Sequence, residues 1–383
     1  MKDLNGRKIL RRTECEDIAK ALSNFHKDAL YEALKFFHKH NIFHYYPEIL
    51  PDIVFCDTQV LLDKVTEIVE CAAYAREGKV RVPGEIHWFD MIKKGIISVK
   101  ILSDTKFESH FVKGHFEPTH LVTIFKHLMI ATPFCYLSDT PSQDEQLYMP
   151  SILSMLSTAE VNKKRAALTS IPLVFWFKNS LQFCGVFCCL QVYLIKERKW
   201  EIDIEDADPP SRNFVQLTRC DSECSITLID SFSFIEIYCK INPKITHNKQ
   251  KILFGVYKDI VSGLECSYKA LKYTYEKPEV AFLCPHSEVP GPISILPDSE
   301  TSSSQHVLHP AVVLTEKSRQ NNTVMKCTQK ANLRCELTKE YDNWLSACFP
   351  RRDNGGMCER SLCLSSESEE VKGELVCLCM YSL

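Results

Sequence analysis

The sequence has little net charge, no long apolar run and no nucleotide-binding signature, and each lack removes a class of function. Its formal net charge is -3 over 383 residues, too little to gather nucleic acid or an anionic membrane through a global field. The basic runs Arg11-Arg12, Lys163-Lys164-Arg165 and Arg351-Arg352 are short and read as solvated surface. No window reaches the ~18 consecutive apolar residues of a membrane span. The opening MKDLNGRKILRR lacks the apolar core of a signal peptide. Cys379 is one place too far from the end for prenylation, so no lipid anchor is expected there. There is no G-x-x-x-x-G-K-[ST] loop to cradle nucleotide phosphates. H-R-D, D-F-G and a glycine-rich loop are missing too, which excludes a protein kinase.

What is present is the balance of an ordinary soluble protein, 45% hydrophobic and 25% charged. The length suffices for two or three domains with cores of their own. The 19 cysteines are spread through apolar runs such as GVFCCLQVYLI, unlike the frame of a small secreted domain. Reduced thiols and a cytoplasmic location are the expectation.

From Thr13 to His40, Ile18, Leu22 and Phe25, then Leu30, Leu34 and Phe37, recur with helical spacing around a polar SNFHKD. Two short helices are predicted. NIFHYYPEILPDIVF follows, β-branched and aromatic with two prolines, and predicts two short strands. Helix, helix and strand pair together suggest a winged helix. Its second helix carries Lys35 and Lys39 but also Asp28 and Glu32, which favours protein over DNA as its partner. WFDMIKKGIISVKIL and PTHLVTIFKHLMIATPF predict two further helical stretches that complete a mainly helical first domain.

Beyond Ala167, IPLVFWF, GVFCCLQVYLI, FVQLT, CSITLID and SFIEIYCK read as strands, with Leu190, Val192 and Leu194 on one face of theirs. Ile252, Val256, Ile260, Leu264 and Leu271 fall on one helical stripe. The expected fold class is α+β: a winged-helix-like first half, then an antiparallel sheet covered by a helix. The segment 289–305 is rich in Pro and Ser and predicts a mobile linker. ELTKEYDNWLSACF predicts a last helix with Leu337, Tyr341, Trp344, Leu345 and Cys348 inward, and the tail after Arg351, with SSESEE, predicts disorder.

The ordered series FFHKHNIFHYYPE, DIVFCDTQVLLDKV, KKGIISVKIL, LYMPSILSML, IPLVFWF and GVFCCLQVYLI resembles the COR domain, the module that follows the Ras-like Roc GTPase in Roco proteins. The resemblance runs from about Lys8 to about Leu283. Cys56-Asp57-Thr58-Gln59-Val60-Leu61 stands where relatives read L-D-P-Q-W-L. Tyr148-Met149-Pro150-Ser151-Ile152-Leu153 matches their aliphatic-Val-Pro-Ser-Leu-Leu motif. The resemblance implies a winged-helix first half (8–156), an α/β second half (165–283) holding the dimer contact, and a relay of the neighbouring GTPase's nucleotide state. Absence of the phosphate loop departs from the family. Either the gene lost its GTPase, or this is a C-terminal fragment of a full Roco GTPase.

Cys56 at a helix start, with Asp57 and His44 nearby, has the outline of an activated nucleophile, because a helix amino terminus favours the thiolate. Asp57 also disfavours that thiolate and is more simply a cap, with Thr58 in the first helical position. Cys284, His286, His309 and Cys327, with His306 and Cys335 as substitutes, combine thiolate and imidazole in the manner of tetrahedral zinc. Some Roco-like proteins resemble this series, in a segment 284–350. The single residue between Cys284 and His286 is tight for zinc, and a metal-free remnant is the alternative. Cys358, Cys363, Cys377 and Cys379 lack a histidine, Cys220 and Cys224 flank a turn as reduced thiols, and the acidic EIDIEDADPP after Trp200 is a hairpin connection or a partner contact. The functional expectation is a non-enzymatic interaction and dimerisation module in cytoplasmic signalling. Its partners are a second copy or a Roco-type GTPase, with no nucleic acid and no membrane.

Overall fold

The computed structural model describes residues 7–22, 27–76, 93–102, 116–134, 145–168, 170–177, 185–202, 209–219, 221, 223–231, 233–245, 249–271, 273, 275, 277–283, 308–310, 324–326, 334–336 and 344. The architecture is α+β, and the strand pairings within it are antiparallel. Two units divide the chain, the first running to Leu153 and also taking in Lys269–Tyr273, the second opening at Ser154. Among the described residues no helix is long and apolar enough to cross a membrane.

Strand β1 (Ile9–Arg11) runs into α1 (Arg12–Leu22), then α2 (Lys27–Lys39), then the strands β2 (His44–Tyr45) and β3 (Ile53–Phe55). The strands pair in the order β1-β3-β2. Alternation along β3 separates two environments: Val54 packs with Leu34 and Tyr45, whereas Ile53 and Phe55 enter the main core of the unit. Asn41, at φ 55°, turns the chain out of α2. The predicted pair of helices and strand pair are therefore present in the predicted order, with β1 as an added strand beside β3. Ile18 departs from its expected inward face, at 36% exposure.

Helix α3 (Gln59–Arg76) lays Leu61, Val65 and Ile68 into that core. After it come β4 (Ile96–Ser98), the single turn α4 (Val99–Leu102), α5 (Pro118–His127), β5 (Thr132–Phe134) and β6 (Gln146–Tyr148). A second small sheet results, in the order β4-β6-β5. The expected helix over GIISVKIL is thus corrected to a strand and one turn. Gly95 at φ 74° breaks the backbone just before it, and the β-branched Ile96 and Ile97 then suit a pleated, buried position. Among the described residues the first half is mainly helical, as expected, with two small three-stranded sheets set into it. Helix α5 fulfils its expectation: Pro118 opens it, and Leu121, Val122, Ile124 and Phe125 are buried on its inner face.

The second unit begins with α6 (Thr158–Ala166) and β7 (Leu173–Trp176), and continues through α7 (Val186–Arg198), β8 (Trp200–Ile202), β9 (Phe214–Arg219), β10 (Cys224–Asp230) and β11 (Phe234–Ile241). It is completed by α8 (Lys249–Ala270), β12 (Glu279–Leu283) and β13 (Leu308–Pro310). Seven strands form one sheet, ordered β13-β12-β7-β11-β10-β9-β8. One face receives α6 through Val161, against Phe214, Ile229 and Tyr238. The other receives α8, where Tyr257 stacks on Phe175 at 5.9 Å and Asp259 accepts a hydrogen bond from Trp200 Nε1 at 3.2 Å. A separate pair joins β14 (Val324–Lys326) to β15 (Arg334–Glu336).

GVFCCLQVYLI is not a strand but the core of α7. Every residue from Val186 to Leu194 is buried, so the segment has no polar face to betray its period. Left-handed residues bound it, Gly185 at φ 89° and Lys199 at φ 57°. The α7 helix lies tightly on α8 at Gly263, where a Cβ would stand 2.5 Å from Leu190 and 2.9 Å from Tyr193. The predicted last helix lies outside the described residues except for buried Trp344 and for Glu336, which ends β15 instead; the linker 289–305, the tail 351–383, Cys220 and the acidic loop 203–208 lie outside them too.

Candidate functional site

The start of α3 is the place to test the cysteine nucleophile. Asp57 Oδ1 accepts a hydrogen bond from the Gln59 amide at 3.0 Å, and Asp57 Oδ2 pairs with Lys8 Nζ at 3.2 Å. The Gln59 amide, and after it Lys8, hold the Asp57 carboxyl below the usual carboxylate range. Asp57 caps the helix as expected, but the first helical residue is Gln59, one position later than Thr58.

Cys56 is no activated thiol. It packs beside Leu34, Tyr45 and Val54, and burial raises its pKa. Cys15, in the same cluster, is pushed up to about 12 by burial and then by the charge of Cys56. Register disposes of His44 as a partner: it stands opposite Phe55, so it shares the face of Phe55 and not that of Cys56. His44 instead stacks near Tyr46, 6.1 Å between ring centres, beside His38 at 5.8 Å.

The exposed face of α2 carries the feature with the clearest functional content. Among the described residues the exposed large hydrophobics are Ile18, Tyr31, Phe36, Ile42 and Met155, and four of them belong to α1, α2 and the turn after α2. Phe36 is 56% exposed and lies 4.4 Å from the His40 ring. Along the same face, Asp28 and Glu32 come first and Lys35 and Lys39 last. Lys35 Nζ sits 3.4 Å from Glu32 and 4.1 Å from the centre of the Tyr31 ring.

A buried polar network in the second unit escaped the sequence reading. Glu236, fully buried on β11, takes the Nε of Arg165 from α6 at 2.8 Å and its NH2 nitrogen at 2.5 Å. Tyr238 donates to the same carboxylate at 2.8 Å and Ser231 at 3.0 Å. Burial, then the Glu236 charge, raises the Tyr238 pKa, so its hydroxyl stays protonated and donates. The network fastens α6 to the sheet. Its sequence signal was a lone glutamate within the apolar FIEIYCKI. At the other end of α6, Ser157 and Glu160 form a reciprocal cap, legible as S-x-x-E.

Of the proposed zinc ligands, Cys284, His286 and Cys327 lie outside the described residues, as do His306 and the tail cysteines. His309 is described in its backbone alone, opposite Phe282 in the β12–β13 pairing, and Cys335 likewise, opposite Met325. Among the described residues no group of three or more His, Cys, Asp or Glu side chains gathers for a metal. Comparison with models of known protein families gives no match, and comparison with curated proteins gives none.

Proposed function

We propose that this chain is a non-enzymatic interaction module of COR type, working in the cytoplasm, and that the face of α2 pairs it with a second copy of itself. The observation that carries this reading is the solvent-facing Phe36, 56% exposed, on a helix whose neighbouring segments also expose Ile18 and Ile42. Charge order supports a second copy as the occupant. With two α2 helices antiparallel about a two-fold axis, Asp28 and Glu32 of one face Lys39 and Lys35 of the other. The COR resemblance would put the contact in the second half; the exposed apolar residues favour the first. Cys56, whose thiol is disfavoured as thiolate and turned away from His44, supports the non-enzymatic part of the reading.

Sedimentation equilibrium of the full chain tests this. The expected outcome is a concentration-dependent dimer that Phe36→Asp weakens by about 2 kcal/mol, roughly thirtyfold in dissociation constant. Thermal unfolding of the variant should match the parent, because Phe36 contributes little to the core. A strict monomer, or a dimer indifferent to Phe36→Asp, would overturn the proposal. A monomer that captures a Roc-type GTPase domain would replace it with the other partner.

A further inference from the structure

The register of β10 against β11 brings together two cysteines that the sequence holds far apart. Cys224 faces Ile241 and Ile226 faces Cys239, so all four side chains project to the same side of the sheet. Cys224 and Cys239 are diagonal neighbours there. Both are buried free thiols, 2% and 9% exposed. Cys224 opens its strand. Arg219, which ends β9, sets its positive charge nearby and is itself bound to Asp221 at 3.4 Å.

We propose that Cys224 and Cys239 form a peroxide-responsive dithiol, with Cys224 as the attacking sulfur and Cys239 as the resolving one. The hydrogen bond from Cys239, and then Arg219, lower the Cys224 pKa, while the same bond and burial raise that of Cys239. The contrast with Cys15 and Cys56 is informative, because burial raises both of those. A thiolate beside a protonated thiol can pass through a sulfenic acid to a disulfide, and burial of both sulfurs restricts the oxidant to a small one.

The Cys224 thiolate attacks one oxygen of hydrogen peroxide. The O–O bond breaks, an S–O bond forms, and the departing hydroxide takes up the proton Cys224 had released, leaving as water. The Cys239 sulfur then attacks the sulfenic sulfur. An S–S bond forms, the S–O bond breaks, and the second hydroxide leaves as water with the Cys239 proton. Two thiols are oxidised and one peroxide is reduced to two waters. Diagonal strand neighbours have Cα atoms about 7–8 Å apart, beyond the usual span of a disulfide, so bridging needs the backbone to move. Closure therefore draws the first residue of β10 inward, beside the hydrogen bond from Asn242 N to Glu223 O at 2.9 Å. A bond closed against such resistance is readily reduced again.

The test treats the reduced full chain with hydrogen peroxide and maps disulfides by mass spectrometry after digestion without reductant. The expected result is one cross-linked peptide joining Cys224 to Cys239, the loss of two titratable thiols, and their return with dithiothreitol. In C239S, dimedone should label Cys224; in C224S it should leave Cys239 unlabelled. If both cysteines stay free at peroxide doses that oxidise the methionines, the proposal falls. It falls equally if the cross-link forms only after unfolding in urea, or if Cys239 is labelled as strongly in C224S. The disulfide map of the unaltered chain decides the matter even if a variant fails to fold.

Discussion

Replacing Arg165 by methionine should destabilise the second unit by about 3–5 kcal/mol, because it leaves a carboxylate buried without its counter-ion. Glu236 has no solvent exposure, and the Arg165 side chain is only 10% exposed, so water cannot take the lost partner's place. Two of the four hydrogen bonds from the guanidinium and hydroxyls survive, those of Ser231 at 3.0 Å and Tyr238 at 2.8 Å. They favour the lower end of the range, about 3 kcal/mol. Adding Glu236→Gln removes the stranded charge while keeping an acceptor for Tyr238. The double variant should recover about 2 kcal/mol of the loss. Hydrogen exchange of the β10 and β11 amides, followed by mass spectrometry, reads this sheet apart from the first unit. A single-variant loss under about 1 kcal/mol, or a double variant no better than R165M, would refute the claim that the pair acts as one unit.

Two glycines of α8 should respond in opposite directions. Gly263→Ala drives a Cβ against Leu190 and the Tyr193 ring and should cost about 1–3 kcal/mol, whereas Gly255→Ala meets Arg219 at 3.4 Å and should gain up to about 1 kcal/mol from helix propensity; urea midpoints compare them. Asp259 has its pKa raised, first by burial, against the opposing effects of Trp200 and Arg198. A raised carboxyl pKa contributes stability that is complete below the unfolded value of about 3.9 and is lost as pH rises through the folded value. The parent should therefore gain on Asp259→Asn as pH falls from about 7 to about 4, and a constant gap between their urea midpoints would contradict this. Elemental analysis addresses Cys284, His286, His309 and Cys327: the zinc reading expects about one zinc per chain, lost on C284S/C327S. Metal content unmoved by that double substitution removes the site.

How much could be read from residues alone depended on whether an element has two unlike faces. Helix α8 was legible because Ile252, Val256, Ile260 and Leu264 leave a polar side to contrast with. The strands β9 to β11 were legible as short β-rich runs between turns. Helix α7 was not, since burial on all sides erases the period that distinguishes a helix from a strand. Asp57 could be assigned as a cap because capping is local, within two residues. The Arg165–Glu236 pair and the Cys224–Cys239 pair depend on register and on packing between distant segments. No local pattern encodes either, although a glutamate among isoleucines hinted at the first.

The buried stretch of α7 also bears on the order in which this protein is made. Its apolar residues, from Val186 to Leu194, leave the ribosome before β9, β10, β11 and α8, the last of which holds Gly263 against Leu190 and Tyr193. At cellular synthesis rates, α8 is finished roughly 4 to 15 seconds after Leu194. Through that interval a nascent chain carries a helix segment that is sticky on every side. Such a stretch is a natural client for a chaperone, and a transcript cut short ahead of α8 should yield a product bound for aggregation rather than a smaller working domain.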